Sequence, residues 1–150
     1  MISVNVRVKK CKKSDLPECL PIFIKEFSEN PYNEKWNKKL ALKKLEEHFS
    51  GKNKYCFVAK ENEKLIGFAF ARTFQWHDGR NGFIEEIVVE KHYQGKGIGT
   101  KLYAKAESGM KKKENIRRVW LITEPSSRAW KFHERNNFKK TPWILANKKM

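Results

Sequence analysis

The chain has 150 residues and carries 33 Lys and Arg against 17 Asp and Glu, a formal net charge of +16 at pH 7. This length fits one domain over residues 1–150, and its 39% hydrophobic and 13% aromatic residues supply a core, which excludes an intrinsically disordered chain. No apolar run approaches the roughly 18 residues that cross a bilayer, and the first ten residues lack a signal peptide's apolar stretch, so we expect no membrane association.

The predicted elements of the N-terminal half are a strand, two helices and a strand pair. Apolar and polar residues alternate over residues 2–8, the period of a half-buried strand. A first helix is predicted from the candidate N-cap Ser14 to residue 27, with Pro21 as a kink or late start. A second helix is predicted over residues 37–49 with Leu40, Leu42, Leu45 and Phe49 inward. Strands are predicted over residues 55–60 and 65–74, followed by a polar loop over 75–81.

The C-terminal half alternates strands and helices around a run of glycines. A strongly apolar strand is predicted over residues 83–90, and a helix after the glycines buries Ile98, Leu102, Ala106 and Met110. A strand over 118–123, a helix over 127–136 and a last strand over 138–145 follow. The order β-α-α-β-β-β-α-β-α-β predicts an α+β fold with a strand–glycine loop–helix unit at its centre.

The three cysteines, Cys11, Cys19 and Cys56, cannot all pair, and none belongs to a CxxC motif. We therefore expect reduced thiols in a cytoplasmic protein, with no disulfide framework. No cluster of His, Cys and carboxylates has metal-ligand spacing, so no metal is expected.

The positive charge is distributed unevenly along the chain. A charge of this size is typical of a nucleic-acid or membrane-surface partner, or of a Lys- and Asn-rich composition that decorates the surface. Residues 14–34 sum to −4 and residues 61–95 to −2, whereas residues 101–118 sum to +5. A nucleic-acid partner stays open on this ground but is not favoured.

The glycine run Gln94-Gly95-Lys96-Gly97-Ile98-Gly99 lies between the apolar strand and an amphipathic helix. Its glycines let backbone N–H groups approach one anion, and the helix N-terminus adds unpaired donors and positive dipole charge. A pyrophosphate fits such a cradle. The spacing differs from that of a P-loop and from that of a dinucleotide-binding fingerprint.

The run VVEKHYQGKGIGTKL at residues 88–102 resembles the acetyl-CoA signature of the GNAT superfamily of N-acetyltransferases, Q/R-x-x-G-x-G/A after a strand. Residues 127–138 resemble that family's A-x-x-F-Y-x-x-x-G-F helix. Residues 30–36 are similar to the segment before the second helix in relatives of the aminoglycoside 6′-N-acetyltransferases. The resemblance implies a mixed, mostly antiparallel central sheet of six to seven strands flanked by about four helices.

The resemblance also implies that acetyl-CoA is the cosubstrate, with its pyrophosphate on the glycine loop and its pantetheine arm along the fourth strand. An amide at the end of this strand then polarises the thioester carbonyl. Transfer is direct, so none of the cysteines is needed as a nucleophile. The implied cofactor-binding residues are Val88, Val89, Gln94, Gly95, Lys96, Gly97, Ile98, Gly99, Thr100, Ser127 and Phe132.

An ammonium acceptor must lose a proton before it attacks, and a carboxylate near the strand is the expected base. Glu85 and Glu86 interrupt the apolar strand, where a charge is costly unless it is solvated or functional. A regular strand places them on opposite faces, so at most one faces a given site. The resemblance favours Glu86, which has the E-x-x-V spacing of aminoglycoside-type relatives, with Glu85 second and Glu124 third. The alternative is that one of the strand carboxylates is a solvated edge residue and the other merely pairs with a Lys.

Two positions depart from the family's helix motif. His133 stands where a Tyr usually protonates the leaving thiolate; it is either the replacement acid or a helix-surface residue without a role. Asn137 stands where Gly is usual, and we expect it to adopt the left-handed conformation of a helix end.

Family analogy places the acceptor near the first two helices and the loop after the third strand. Acidic and aromatic side chains there suit a cationic amine, although solvated helix-face charges and core aromatics explain them as well. The candidates are Glu26, Glu29, Tyr32, Trp36 and Trp76, with Glu124 at the end of the fifth strand. His48 and His92 are predicted to lie on the surface.

Three functions remain open on the sequence. The first is an N-acetyltransferase acting on a small-molecule amine. The second is an acetyltransferase acting on a protein or an aminoacyl-tRNA, held by the basic segments 101–118 and 139–150. The third is a non-catalytic CoA-binding domain, which only the missing Tyr supports. A homodimer is also left open.

Overall fold

The computed structural model describes residues 5–150, which form a mixed five-stranded sheet and four helices. The elements are β1 (Val6–Lys10), α1 (Leu16–Ser28), α2 (Lys38–Phe49), β2 (Lys54–Glu61), β3 (Lys64–Trp76), β4 (Gly79–Val89), α3 (Ile98–Glu114), β5 (Val119–Leu121) and α4 (Arg128–Arg135). The strands follow one another across the sheet in chain order; the first three pairs are antiparallel and β4–β5 is parallel. This confirms the predicted α+β class.

Helices cover both faces of the sheet. On one face α1 and α2 bury Leu16, Phe23 and Leu45 against Phe68 and Phe70 of β3. On the other face α3 buries the predicted stripe of Ile98, Leu102, Ala106 and Met110. The glycine run connects the end of β4 to the start of α3. It therefore lies at one end of the sheet, as the strand–loop–helix prediction requires.

The prediction of six to seven strands is wrong for the described residues, which form five. The segment 138–145, predicted as the last strand, pairs with nothing. Phe138 instead packs in the helical layer, with its ring centroid 5.3 Å from that of Tyr103, and Pro142 has no N–H to donate to a ladder. A strand pattern becomes a strand only where it pairs with a neighbouring edge, and this segment pairs with none within residues 5–150, although the outer edge of β5 is open.

The structure also differs from the predicted elements at several single positions and boundaries. The predicted polar loop 75–81 is mostly hairpin, since β3 and β4 stay paired as far as Trp76 and Gly79. Helix α1 runs unbroken through Pro21, and its N-cap is Asp15 rather than Ser14. Leu40 is 50% exposed instead of inward. Residues 2–4 of the predicted first strand lie outside the described residues.

Asn137 confirms its prediction, with a φ of 71° in the left-handed region just after α4. Asparagine tolerates this region because its short polar side chain bonds locally. No helix within residues 5–150 is long and apolar enough to cross a membrane.

A buried ion pair joins the start of α1 to the sheet. Lys60 Nζ lies 2.9 Å from Asp15 Oδ1, and the backbone N–H of Lys12 donates to Asp15 Oδ2 at 2.8 Å. Burial alone raises the pKa of Asp15, but these bonds outweigh it and hold that pKa below its usual value. The ionised form is therefore the one that the fold stabilises.

We expect Asp15→Asn to lower the free energy of unfolding by about 3 kcal/mol at pH 7, because it leaves Lys60 largely buried without its charge partner. The pKa of Asp15 is lower in the folded state than in the unfolded state, where it is about 4, so the ionised carboxylate stabilises the fold at pH values above about 4. This stabilisation is lost as the pH falls through the folded-state pKa. Thermal melts between pH 3 and 7 should show the variant converging on the wild type at the acid end. A constant gap across that range would contradict the assignment.

Candidate active site

A cavity of about 600 Å³ opens at the end of β4. Four segments enclose it: the C-terminal end of α1 with the loop after it, the end of β4, the glycine loop, and α4. Most of the predicted cofactor residues line it: Val88, Val89, Gln94, Gly95, Gly97, Gly99, Thr100, Ser127 and Phe132. Of the two that do not, Ile98 is buried beneath the loop and Lys96 is exposed.

The glycines of the loop have two different structural roles. Gly95 and Gly97 have φ values of 76° and 83°, a conformation that side chains other than Asn and Asp rarely adopt. A Cβ on Gly95 would meet nothing within 4 Å, so this position needs glycine for its backbone and not for space. A Cβ on Gly99 would lie 3.0 Å from Phe132 Cζ, so α4 packs directly on the first turn of α3.

The loop presents backbone donors to the cavity. Gly97 is the N-cap of α3 and supplies no side-chain cap, so the first amides of this 17-residue helix are free to bind a ligand. Gln94 Nε2 donates to the Val89 carbonyl at 2.8 Å and fixes the loop to the strand. An open cradle of amides at a helix N-terminus fits a pyrophosphate group.

Charged side chains of both signs meet in the cavity. Lys91, Arg128 and Arg135 bring positive charge from the glycine-loop side and α4. Glu26 and Glu29 enter from the end of α1, and Lys91 Nζ lies 3.9 Å from Glu29 Oε2. Burial first, and the neighbouring Glu29 second, raise the pKa of Glu26. The wall thus offers phosphate-binding cations and amine-binding carboxylates in one space.

Glu85 and Glu86 lie on one face of β4, contrary to the prediction that a regular strand separates them. The β3–β4 register passes from Phe70 opposite Glu86 to Ala71 opposite Ile84, which leaves Glu85 as the extra residue of a β-bulge. Ile84 and Ile87, three positions apart, therefore both pack toward α3. The two carboxylates between them point to the α2 face.

His48 of α2 lies between the two carboxylates. Its Nδ1 is 3.6 Å from Glu85 Oε2 and its Nε2 is 3.3 Å from Glu86 Oε1. The residue is 8% exposed, so its predicted surface position is wrong, whereas His92 is exposed as expected. Residue 48 continues the buried stripe of Ala41 and Leu45 at helical spacing, which is the signal that could have found it.

The carboxylates differ in their second partner. Arg72 Nε donates to Glu85 Oε1, so Glu85 is held by a guanidinium as well as by His48. Glu86 has the His48 contact alone among its ion pairs within the described residues. Neither lines the cavity, but Glu86 precedes the cavity residue Val88 by two positions on the same face, about 7 Å along the strand.

His133 lies outside the cavity lining, in an aromatic cluster. It is 5% exposed, its ring packs against Phe132 and Phe138, and its Nδ1 has no hydrogen-bond partner. Burial lowers the pKa of His133 to about 4, so the imidazole is neutral at pH 7. Its neighbour Phe132 is the residue that reaches the cavity.

The predicted acceptor residues do not form one group. Glu29 and Tyr32 line the cavity. Trp36 packs on Phe23 and donates from Nε1 to Glu34, while Trp76 stacks edge-on with Trp120 at the far end of β3. Glu124 accepts from the backbone N–H of Ser126 at 2.9 Å in the turn before α4, outside the cavity lining.

Ser127 combines a structural role with its place in the cavity wall. Its Oγ donates to the Glu124 carbonyl at 2.6 Å and accepts from the Trp130 N–H at 3.3 Å, so it caps α4.

Sequence reasoning missed the cavity cations Arg128 and Arg135. Their spacing of seven, two helical turns, was the available signal.

A model of the acetyltransferase (GNAT) family matches residues 17–138. Among solved structures, the chain is similar to AAC(6')-Iy in complex with the bisubstrate analog CoA-S-monomethyl-acetylneamine, with 20% identity, a TM-score of 0.75, and coverage of 97% of this chain and 98% of that one. It is similar to a ribosomal-protein-alanine N-acetyltransferase from Brucella melitensis biovar Abortus 2308, with 14% identity, a TM-score of 0.72, and coverage of 97% and 99%.

A third similar structure is a transcriptional regulator from Bacillus halodurans C-125, with 19% identity, a TM-score of 0.77, and coverage of 96% of this chain and 99% of that one. No curated protein matches the sequence. At these identities the solved structures establish the fold, while the family match covers most of the chain and includes the glycine loop. The chain belongs to the GNAT family of acetyltransferases, enzymes that use acetyl-CoA.

Proposed function

We propose that this chain transfers an acetyl group from acetyl-CoA directly to a primary amine of a small molecule. One observation carries the proposal: a single cavity combines an amide cradle with the carboxylates Glu26 and Glu29. The amides and the arginines suit a polyanionic donor, and the carboxylates suit a cationic acceptor that would compete with Lys91 for Glu29. The −4 charge of residues 14–34 lies on the acceptor side.

The cavity fits the donor on its own chemistry. The amides from Gly95 to Thr100, with Arg128 and Arg135, would hold the phosphates, and the exposed Lys96 would add charge at the rim. Val88 and Val89 would hold the pantetheine arm. Bound acetyl-CoA supplies an acetyl thioester that an uncharged amine can attack.

Glu86 is our choice for the group that takes the proton from the ammonium, because Glu85 is already paired with Arg72. Transfer forms one N–C bond and breaks the C–S bond, and the second proton that the nitrogen loses passes to the CoA thiolate as it leaves. His133 is not assigned as the donor of that proton, because its buried ring packs against Phe132 and Phe138 and, with a pKa lowered by burial to about 4, is neutral at pH 7.

The cysteines have no place in this chemistry. Cys11, Cys19 and Cys56 are free and buried. Burial raises the pKa of the Cys11 thiol to about 12 and that of Cys56 to about 11, so both are protonated and unreactive at neutral pH. Three unpaired thiols suit a reducing compartment, and we propose a cytoplasmic location.

The test is release of free thiol from acetyl-CoA in the presence of aminoglycosides, polyamines, peptides with free N-termini, and aminoacyl-tRNA. We expect turnover with small amines. Turnover with peptides or tRNA alone would mean that the acceptor is a macromolecule. The exposed lysines of residues 139–150 are the feature that favours this second candidate. RNA binding should weaken steeply as salt rises, and an affinity for tRNA no greater than that for any other polyanion would count against an RNA acceptor.

A further inference from the structure

We propose that this chain has a second binding site, which holds the far end of the acceptor amine. The site lies on the face of the sheet that carries α2, past the end of that helix. It would take a planar ring whose edge has a hydrogen-bond donor next to an acceptor. This inference rests on the proposed function, because it names the class of amine that receives the acetyl group.

Aromatic rings from two strands form the surface of this site. On β3 the ring centroids of Phe74 and Trp76 are 5.9 Å apart, and the ring of Trp120 on β5 lies 6.0 Å from that of Trp76. The guanidinium of Arg72, which bonds Glu85 on the α2 face, lies 5.3 Å from the centroid of the Phe74 ring. The three rings are therefore on that face as well.

Asn81 lies beneath the contact between the two tryptophans. It is the register partner of Phe74 on β4, the strand between β3 and β5, so its side chain points to the same face. Its residue is 0% exposed, and neither Oδ1 nor Nδ2 has a hydrogen-bond partner among the described residues. The Nε1 of Trp120 is buried and without a partner in the same way. Because unpaired buried groups are costly and rare, these two donors and one acceptor point to a ligand that would satisfy them.

Trp76 is the side chain that would open this site. It is 40% exposed beside the β3–β4 hairpin, and it meets Trp120 edge-on at an interplanar angle of 61°. Rotation of its ring would uncover Asn81, and a planar ring would then stack against the indoles. An asparagine amide presents a donor beside an acceptor, the pattern that pairs with the edge of an adenine.

The charges on this surface disfavour a polycation. The guanidinium of Arg72 lies 4.9 Å from the centroid of the Phe83 ring, and that of Arg118 lies 5.5 Å from the centroid of the Trp120 ring. The carboxylate of Glu85 already bonds Arg72, so it is not free for an ammonium group. An aminoglycoside with several ammonium groups would meet two cations here, whereas an uncharged planar ring suits both the aromatic side chains and the guanidiniums.

The amine end of such an acceptor would reach Glu86 from this site. Asn81 and Glu86 lie on the same face of β4, five positions apart with the bulge between them, which is about 13 Å along the strand. The acceptor is then a primary amine joined to a planar ring by a tether of about this length.

The first test measures binding and needs no acetyl transfer. The probe is aminooctyl-adenine, titrated with CoA at saturation so that the donor cavity is occupied. The readout is the pair of indole N–H signals of Trp76 and Trp120 in NMR spectra of isotope-labelled protein. We expect saturable shifts of both signals and a dissociation constant at least about 10-fold weaker for Asn81→Leu. Absence of these shifts, or equal affinity in Asn81→Leu, would overturn the proposal.

Stability and a matched variant separate binding from a structural role. Asn81→Leu replaces an unpaired buried amide with an apolar group of similar size, so it should melt at a temperature no lower than that of the wild type. A marked loss of stability would mean that the amide serves the fold, and would overturn the site. Gln75→Leu makes the same kind of change at an exposed position on the other face of β3 and should bind the probe like the wild type.

Turnover separates this inference from the proposed function. With acetyl-CoA, we expect kcat/KM for aminooctyl-adenine to exceed that for octylamine, phenyloctylamine and the aminoglycosides by at least about 10-fold, and Asn81→Leu to remove this preference. Equal turnover of all these amines would support acetyl transfer and overturn the site. Binding of the probe without acetylation of any amine would refute the proposed function and support a ring-binding site alone.

Discussion

Replacing Glu86 with glutamine is expected to lower kcat by about 10²- to 10⁴-fold while leaving the affinity for CoA unchanged. The amide keeps the shape of the side chain, the bulge and the proximity to His48, but it cannot accept the proton of the ammonium. The acceptor in this experiment is the best amine of the thiol-release panel. Affinity for CoA is measured by calorimetry, so that loss of chemistry is separated from loss of binding.

Two controls make the result specific to the base. Glu85→Gln removes the carboxylate that Arg72 already engages, so its effect on kcat should be smaller. Glu47→Gln removes an exposed carboxylate next to His48 in the chain and should leave turnover unchanged. Wild-type turnover in Glu86→Gln with a large loss in Glu85→Gln would exchange the two roles, and wild-type turnover in both would remove the base from this strand.

Gly97→Val is expected to weaken CoA binding by at least about 100-fold. A left-handed backbone costs an ordinary residue about 1–2 kcal/mol, and the branched side chain would also stand at the N-cap where the free amides of α3 face the cavity. Relaxation of the loop to a right-handed conformation would turn those amides away. Titration of the protein with CoA measures the change directly.

The matched control for backbone strain is Gly51→Val. Gly51 has a φ of 107°, lies after α2 and has open space around it, with Lys54 Cε as its nearest neighbour at 3.9 Å. This variant should lose stability in a thermal melt but bind CoA like the wild type. Equal weakening in both variants would mean that general destabilisation, not the loop, controls the affinity.

The features that the sequence predicted are those encoded within one segment. The glycine loop, the buried stripe of α3 and the left-handed Asn137 each depend on a few neighbouring residues. Local propensities and spacing are therefore enough to predict them. This part of the prediction includes most of the cavity lining.

The features that it missed depend on two segments at once. The bulge at Glu85 exists because β4 carries one more residue than β3 across their pairing, and no pattern within β4 alone reveals this. The contact of His48 with both carboxylates follows from the same bulge, since the bulge places them on one face. The segment 138–145 has the sequence pattern of a strand but pairs with no other. The pattern within a segment contains no information on whether that segment reaches an open edge such as that of β5.

The bulge divides β4 into two halves that differ in which alternate residues face α3. Before it, even-numbered Ile84 faces α3; after it, odd-numbered Ile87 does, while Val88 faces α1 and α2. Deletion of one residue here would move every side chain of one half to the opposite face of the sheet. The affected half would be either the one that pairs with β5 or the one that borders the cavity. Substitutions in this strand should therefore be tolerated far more easily than insertions or deletions. A sequence alignment that places a gap elsewhere in β4 would assign the wrong face to half of its side chains.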